Sequence, residues 1–363
     1  MTVVVTGLGT VSCIGRNTPA FMRGLLAGES GIRAMTPEER AGGQAESVAR
    51  IDRWTPQPEL APMKARRIDL GSQYAVVASL EAARQSGFPV SERPDRLGIA
   101  LGTGSAGSGA LTEFTRVLLS ESPEAAPPFH FPNTIANAPA SQVSIELKFL
   151  GPNVTITQKD PSALNAAIYA SGCLEDRRAD AMIAGGVDEW NGLYSSAMDM
   201  MHALRGSRRP SGIVQGEGCF VLFLEREDSA TERGASALAR LAGYAFAGSP
   251  SPPYAYAGDD AAAERAMREA LERSGAAPSD VDLVMPSANG RAEIDAMERR
   301  VLARVVGAKP SVAVKQAIGE MAAAGGAQLV AAVSAIAEGR AATVLVNSFG
   351  AGGNFLSAVL RTP

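Results

Sequence analysis

An α/β fold made of two similar halves is what the sequence predicts, and three observations predict it. β-Branched runs end in glycine, alanine-rich stretches of helical length separate them, and one helix–turn–strand segment occurs twice. The strand candidates begin with Val3–Thr6 before GLG, Leu97–Leu101 before GTG, Val154–Thr157, and Ala181–Ala184 before GGV. Cys219–Leu224, Val281–Met285, Ser311–Val314 and Ala341–Val346 before NSFGAGG complete the set. The helix candidates are Gln73–Arg84, Ala163–Leu174, Ala261–Arg273 and Gly325–Glu338. Displaced by 162 residues, Ser162–Gly186 lies over Ala324–Ser348, and Arg178 falls on Arg340. Each copy reads as an apolar helix, a short charged turn and a strand ending in small residues. The join is expected in EREDSATERG (225–234), the most charged and polar stretch, which divides the chain into 1–228 and 229–363.

Composition narrows the function classes. With 363 residues, 46% of them hydrophobic, the chain can bury a large core. A net charge of -4 gives no electrostatic footprint for nucleic acid, although it leaves room for a small basic patch facing an acidic carrier protein. Cys13, Cys173 and Cys219 are scattered without metal or redox spacing, so reduced thiols, no metal and no cofactor are expected. The opening MTVVVTGLGT reads as a short strand running into a glycine turn and has no basic segment before an apolar one, so no secretory leader is expected there. No apolar run reaches the roughly 20 residues of a membrane helix, and a cytoplasmic location is expected.

Several motifs occur in a telling order. VVVTGLGTVSCIG opens the chain; FPNTIANAPASQVSIEL (131–147) is followed by Gly151-Pro152; Gly216-Glu217-Gly218 precedes a strand; Asn347-Ser348-Phe349-Gly350 and Gly352-Gly353-Asn354 close the chain. In this order and spacing the chain resembles the β-ketoacyl synthases along essentially its whole length. The resemblance implies a thiolase-like fold of two α/β halves in α-β-α-β-α layers.

Condensation in that family uses a cysteine at a helix N-terminus, where the dipole favours the thiolate, and two histidines. Counting from Gly151-Pro152 puts Asp160 at the cysteine position. The first histidine position, after VDLV, is Ser287, and the second, in a K-x-x-x-G-H pattern, is Glu320. Lys315 of that pattern and the glutamate Glu298 are retained. His130 and His202, the two histidines of the chain, match neither position. Asp160-Pro161 reads as an N-cap followed by proline at the first helical position, so Asp160 is expected to cap the following helix. Asp160 and Glu320 are expected to share the old pocket, with Lys315 or Lys159 compensating their charge.

Loss of all three catalytic positions resembles the chain length factors of type II polyketide synthases, the nearest subgroup being that of reducing, polyene-forming systems. The resemblance implies a heterodimer with an active ketosynthase, an acyl carrier protein as partner, and a growing polyketide chain threading a tunnel at the interface. Candidates for its wall are Leu111, Phe114 and Leu118, which repeat on one helix face, with Thr115 beside them. Such a stripe fits plain core equally well. Phe129, Phe131 and Ile135 form a second candidate group, and the Val154–Thr157 strand is expected to pair across the dimer axis. Two other classes remain open: a hydrolase using Asp160 or Glu320 as general base, and a homodimeric acyl-binding scaffold.

Overall fold

In a computed structural model of the chain the described residues are 2–363 other than 127, 254 and 257, with only the backbone of Phe129. The strands are β1 (Val3–Ser12), β2 (Ile32–Ala34), β3 (Ser47–Ala49), β4 (Leu97–Gly102), β5 (Asn153–Ile156) and β6 (Ala181–Asp188). They continue as β7 (Gln215–Gly216), β8 (Gly218–Arg226), β9 (Ala239–Gly248), β10 (Leu283–Met285), β11 (Thr343–Gly350) and β12 (Asn354–Arg361). The helices are α1 (Thr18–Leu26), α2 (Pro37–Arg40), α3 (Pro62–Ala65), α4 (Leu70–Ser86), α5 (Ser108–Ser120), α6 (Ala138–Leu147) and α7 (Ser162–Glu175). After these come α8 (Gly192–Met200), α9 (Glu227–Glu232), α10 (Asp260–Ser274), α11 (Ala292–Val305), α12 (Lys315–Ile318) and α13 (Ala324–Ala337).

One mixed sheet runs in the order β10-β11-β12-β9-β1-β8-β6-β4-β5. Because successive side chains on a strand point to opposite faces, each half of this sheet packs on two helical layers. Ala100, Ala184 and Leu222 from one half, and Val346, Leu356 and Ala358 from the other, close on α7 and α13 in a shared core. Leu97, Ile99, Ile183 and Phe223 face the other way onto α4 and α6. Leu345, Phe349, Phe355 and Val359 do the same onto α10 and α11. The result is the α-β-α-β-α layering of a thiolase-like fold. Nearly every residue of α13 is buried, as an all-round apolar helix requires.

The internal repeat is exact in length. α7 and α13 have 14 residues each and start 162 positions apart; β6 and β11 have 8 residues each with the same offset. Even the turn bond is repeated: the Arg178 N–H donates to the Cys173 carbonyl at 2.8 Å, and the Arg340 N–H to the Ala335 carbonyl at 2.9 Å.

Two local expectations need correction. GLG near the start is not a turn, because β1 runs through it to Ser12. Its glycines admit α4 instead: a Cβ at Gly9 would lie 1.8 Å from the Ala78 carbonyl oxygen. Ser311–Val314 forms no strand but a single bridge, Ser311 to Val284, since Pro310 has no N–H to extend the ladder and the chain turns at Val314 into α12.

Candidate functional site

The turn before α7, the β11–β12 turn and the segment before α13 meet around a cavity of about 410 Å³. Asp160, Tyr256, Arg291, Glu320, Gln215 and Met198 are among its walls. It holds two of the three residues aligned with the catalytic positions, Asp160 and Glu320.

Asp160 is buried, but it does not cap α7. The cap position is Pro161, with no side-chain hydrogen bond to the first turn. One residue earlier, the Asp160 carboxylate reaches across the cavity floor, and its Oδ2 accepts the Ala351 N–H at 3.1 Å. Tyr256 lies close enough to feel its charge, which helps to raise the phenol's pKa. The turn is closed instead by Ser162, whose Oγ accepts the Gln158 N–H at 2.8 Å. The sequence Asp-Pro predicts a cap followed by the first helical residue; the helix begins one position later, which releases the carboxylate to bridge the two halves.

Glu320 follows α12 and is held on all sides. Its Oε2 accepts from Lys315 Nζ and from Asn289 Nδ2, both at 2.9 Å, and its Oε1 accepts the Met321 N–H at 3.0 Å. Burial pushes its carboxyl up to about 7, against the pull of Lys315 and with the repulsion of Asp160. Lys315 is therefore the compensating lysine for Glu320. Tyr256 completes the network: Asn289 Nδ2 lies 3.4 Å from its hydroxyl, and the Arg291 guanidinium sits 5.4 Å above its ring. Burial, then Asp160 and Glu320, drive its ionisation far up, so it remains a neutral donor.

Ser287 lies away from the cavity walls. It is fully buried, its Oγ accepts the Phe349 N–H at 2.8 Å, and its N–H donates to Glu298 Oε1 at 2.9 Å. Glu298 also accepts from Asn347 Nδ2 at 2.9 Å. The pair thus ties α11 to the end of β11. Among the described residues, no cysteine and no histidine lines the cavity. Cys173 and Cys219 are buried in the core, and burial pushes the Cys13 thiol up to about 12. Among the described residues there is also no group of three or more His, Cys, Asp or Glu able to hold a metal ion, and no helix long and apolar enough to cross a membrane.

Glu189, Glu298 and Glu320 are each pushed from 4.5 to about 7, burial being the first cause. A carboxyl raised on folding binds more protons in the native than in the unfolded state between these values, so stability falls as pH rises through about 7. Carboxyls held low, such as Glu39 at about 2 beside Arg33, keep their contribution above 4.5. Melting temperature is therefore expected to rise between about pH 8 and about pH 6. Differential scanning calorimetry checks this, and a falling profile contradicts it.

The tunnel candidates sit on the outer surface of this single chain, not in its core. On α5, Leu111 is 49% and Leu118 37% exposed, and Val117 alone is buried. Phe114 and Thr115 are half-buried, and the Phe114 ring meets that of Phe131 at 5.6 Å between centroids. Phe131 and Ile135 are themselves exposed. The Phe129 side chain lies outside the described residues. Ile145 and Leu150, which flank β5, are exposed too, and β5 forms the open edge of the sheet. Tyr256, Arg291, Asn289 and Gln215 were not foreseen, although Gln215 directly precedes GEG and Asn289 lies two residues past Ser287.

Comparison with known proteins places this geometry. The family descriptions "Beta-ketoacyl synthase, N-terminal domain" and "Beta-ketoacyl synthase, C-terminal domain" match residues 1–230 and 238–346. The chain is 30% identical over 355 residues to 3-oxoacyl-acyl-carrier-protein synthase 2 of Synechocystis sp., covering 93% of this chain and 85% of that protein. Among solved structures, the ishigamide ketosynthase/chain length factor superimposes with a TM-score of 0.91 at 24% identity, covering 100% of this chain and 99% of that one. A ketosynthase in complex with its chain length factor from Xenorhabdus doucetiae gives 0.86 at 19% identity, covering 100% and 98%. At such identities the two structures speak to the fold.

Proposed function

Since the chain belongs to the β-ketoacyl synthase family, we propose that it is a catalytically silent member, a chain length factor that pairs with an active ketosynthase of a type II polyketide synthase. The observation that carries this reading is the hydrogen bond from the Ala351 N–H to Asp160. The family's thiolate is replaced there by a carboxylate, a poor nucleophile toward a thioester. The backbone donor facing the same point is already engaged, so it is not free to hold an oxyanion.

Other features support the same reading. The open edge of β5 and the exposed Leu111, Leu118, Phe131, Ile135, Ile145 and Leu150 form the kind of apolar surface that a partner subunit covers. The solved structures described as ketosynthase with chain length factor agree with it. In this reading the partner's cysteine carries the growing chain, an acyl carrier protein delivers its units, and α5 contributes the tunnel wall. The MHALRGSRRPSG segment (201–212) is compact where ketosynthases carry a longer loop, which fits a reducing, polyene-forming system. A hydrolase is disfavoured: Glu320 at about 7 suits a general base, yet both of its oxygens are occupied.

Two measurements test the proposal together. Incubated with acyl-loaded or malonyl-loaded carrier protein, the chain is expected to gain no covalent acyl group by intact-protein mass spectrometry. Co-expressed with an active ketosynthase of a type II polyketide synthase from the same organism, it is expected to elute as a one-to-one heterodimer. An adduct on Asp160 or any cysteine overturns the silent-site reading, and a stable homodimer indifferent to the ketosynthase favours the scaffold.

A further inference from the structure

Helix α5 has an unusual energy balance for so long a surface helix. Of its 13 residues only Val117 is buried, while Leu111, Leu118 and Leu119 are exposed. It packs on the 3-10 segments Pro123–Ala125 and Pro128–Asn133. Its cap residue, Gly107, offers no side-chain acceptor, and its first turn contains no acid. Neither packing nor self-capping therefore accounts for its placement, although its first N–H groups require acceptors.

The acceptor comes from elsewhere in the chain. Glu189, the residue after β6, is 2% exposed. Its Oε1 accepts the Gly109 N–H at 2.7 Å, in the first turn of α5. Its Oε2 accepts the Gly71 N–H at 3.0 Å, in the first turn of α4. One carboxylate thus joins two helix N-termini, each of which favours a negative charge. Gly109 leaves room for this approach, since a Cβ there would stand 3.2 Å from Glu189 Oε1, a tight contact. The preceding residue secures the approach to α5: Asp188 Oδ1 accepts the N–H groups of Gly104 and Ser105 at 2.7 and 2.8 Å. Burial, followed by Asp69, pushes the Glu189 carboxyl up to about 7, and Glu217 adds to this. An expensive group is thus kept where it fixes geometry.

We propose that Glu189 is the positioning residue of the tunnel wall: by clamping the first turns of α4 and α5 it sets the register at which Leu111, Phe114 and Leu118 meet the growing chain. What the wall does rests on the chain length factor reading; what holds it rests on the hydrogen bonds alone.

Hydrogen exchange on the full chain, co-purified with its ketosynthase, tests the clamp in Glu189→Gln and Glu189→Ala. Glutamine keeps one acceptor and turns the other into a donor, so it covers the case in which alanine fails to fold. Amides of 108–120 are expected to lose roughly tenfold or more of their protection, while α7 and α13 keep theirs. Glu113→Gln, which removes only an exposed pair with Arg116 on the same helix, is expected to change nothing. Unaltered protection in 108–120, or an equal loss across α7 and α13, overturns the clamp. Product analysis of the same samples then separates the two readings. A broadened length distribution supports the wall, and loosened α5 with unchanged products overturns the tunnel role while leaving the clamp.

Discussion

Lys315→Ala is expected to be the most damaging substitution at the site, lowering stability by about 3–5 kcal/mol at alkaline pH. The side chains of Lys315 and Glu320 are each 1% exposed and 2.9 Å apart. Lys315 also pulls down the Glu298 carboxyl. Removing the ammonium leaves Glu320 buried beside Asp160 with no counter-charge, and Glu298 loses its helper. Protonation offers both an escape, since each titrates near 7 already. The loss should therefore be smaller at about pH 6 than at about pH 8. Replacing the pair together, Lys315→Met with Glu320→Leu, removes the charge problem instead of exposing it, and such exchanges are often neutral or stabilising. Urea unfolding of the three proteins at both pH values checks this. A single variant as stable as the parent at about pH 8 would falsify the compensation argument.

Much of the fold was legible because the sequence repeats itself. The offset of 162 residues located α7, α13, β6 and β11 at once, down to the turn carrying Arg178 and Arg340. Strands β9 and β12 were not foreseen. β9 reads ARLAGYAFAG, where alanine and glycine alternate with larger residues and no β-branched residue signals a strand. Its pairing with β12 over eight registered positions makes it a strand.

The site was legible where it is local in sequence and illegible where it is assembled. Asp160, Ser287, Glu298, Lys315 and Glu320 could be placed by counting from neighbouring motifs. Nothing in SPPYAYAG marks Tyr256 as sharing a cavity with Asp160, because the two residues are almost a hundred positions apart. Glu189 is hidden for the same reason. A glutamate following a strand reads as an ordinary surface residue until the structure brings Gly71 and Gly109 to it. Position in the chain also misled over Asp160, where a shift of one residue in the helix start turns a cap into a bridge.

Phe114→Ala is expected to make the partner ketosynthase release longer products from a complex that still assembles. Phe114 is half-buried and leans on Phe131, an exposed ring, so its outer face belongs to a surface and not to the α4–α6 core. If that face lines the shared tunnel, the ring stops a chain whose thioester end is fixed on the partner, and alanine leaves room beyond the stop. Truncation of a fully buried phenylalanine costs about 3–5 kcal/mol. Here the loss should be nearer 1–2 kcal/mol, roughly the ring–ring contact and part of the burial. Phe131→Ala should act in the same direction more weakly, because it removes only the support behind the ring. Product length by mass spectrometry and heterodimer melting on the same preparation separate the cases. Unchanged length together with a drop in melting as large as full burial predicts would return Phe114 to the core and leave the tunnel without its proposed wall.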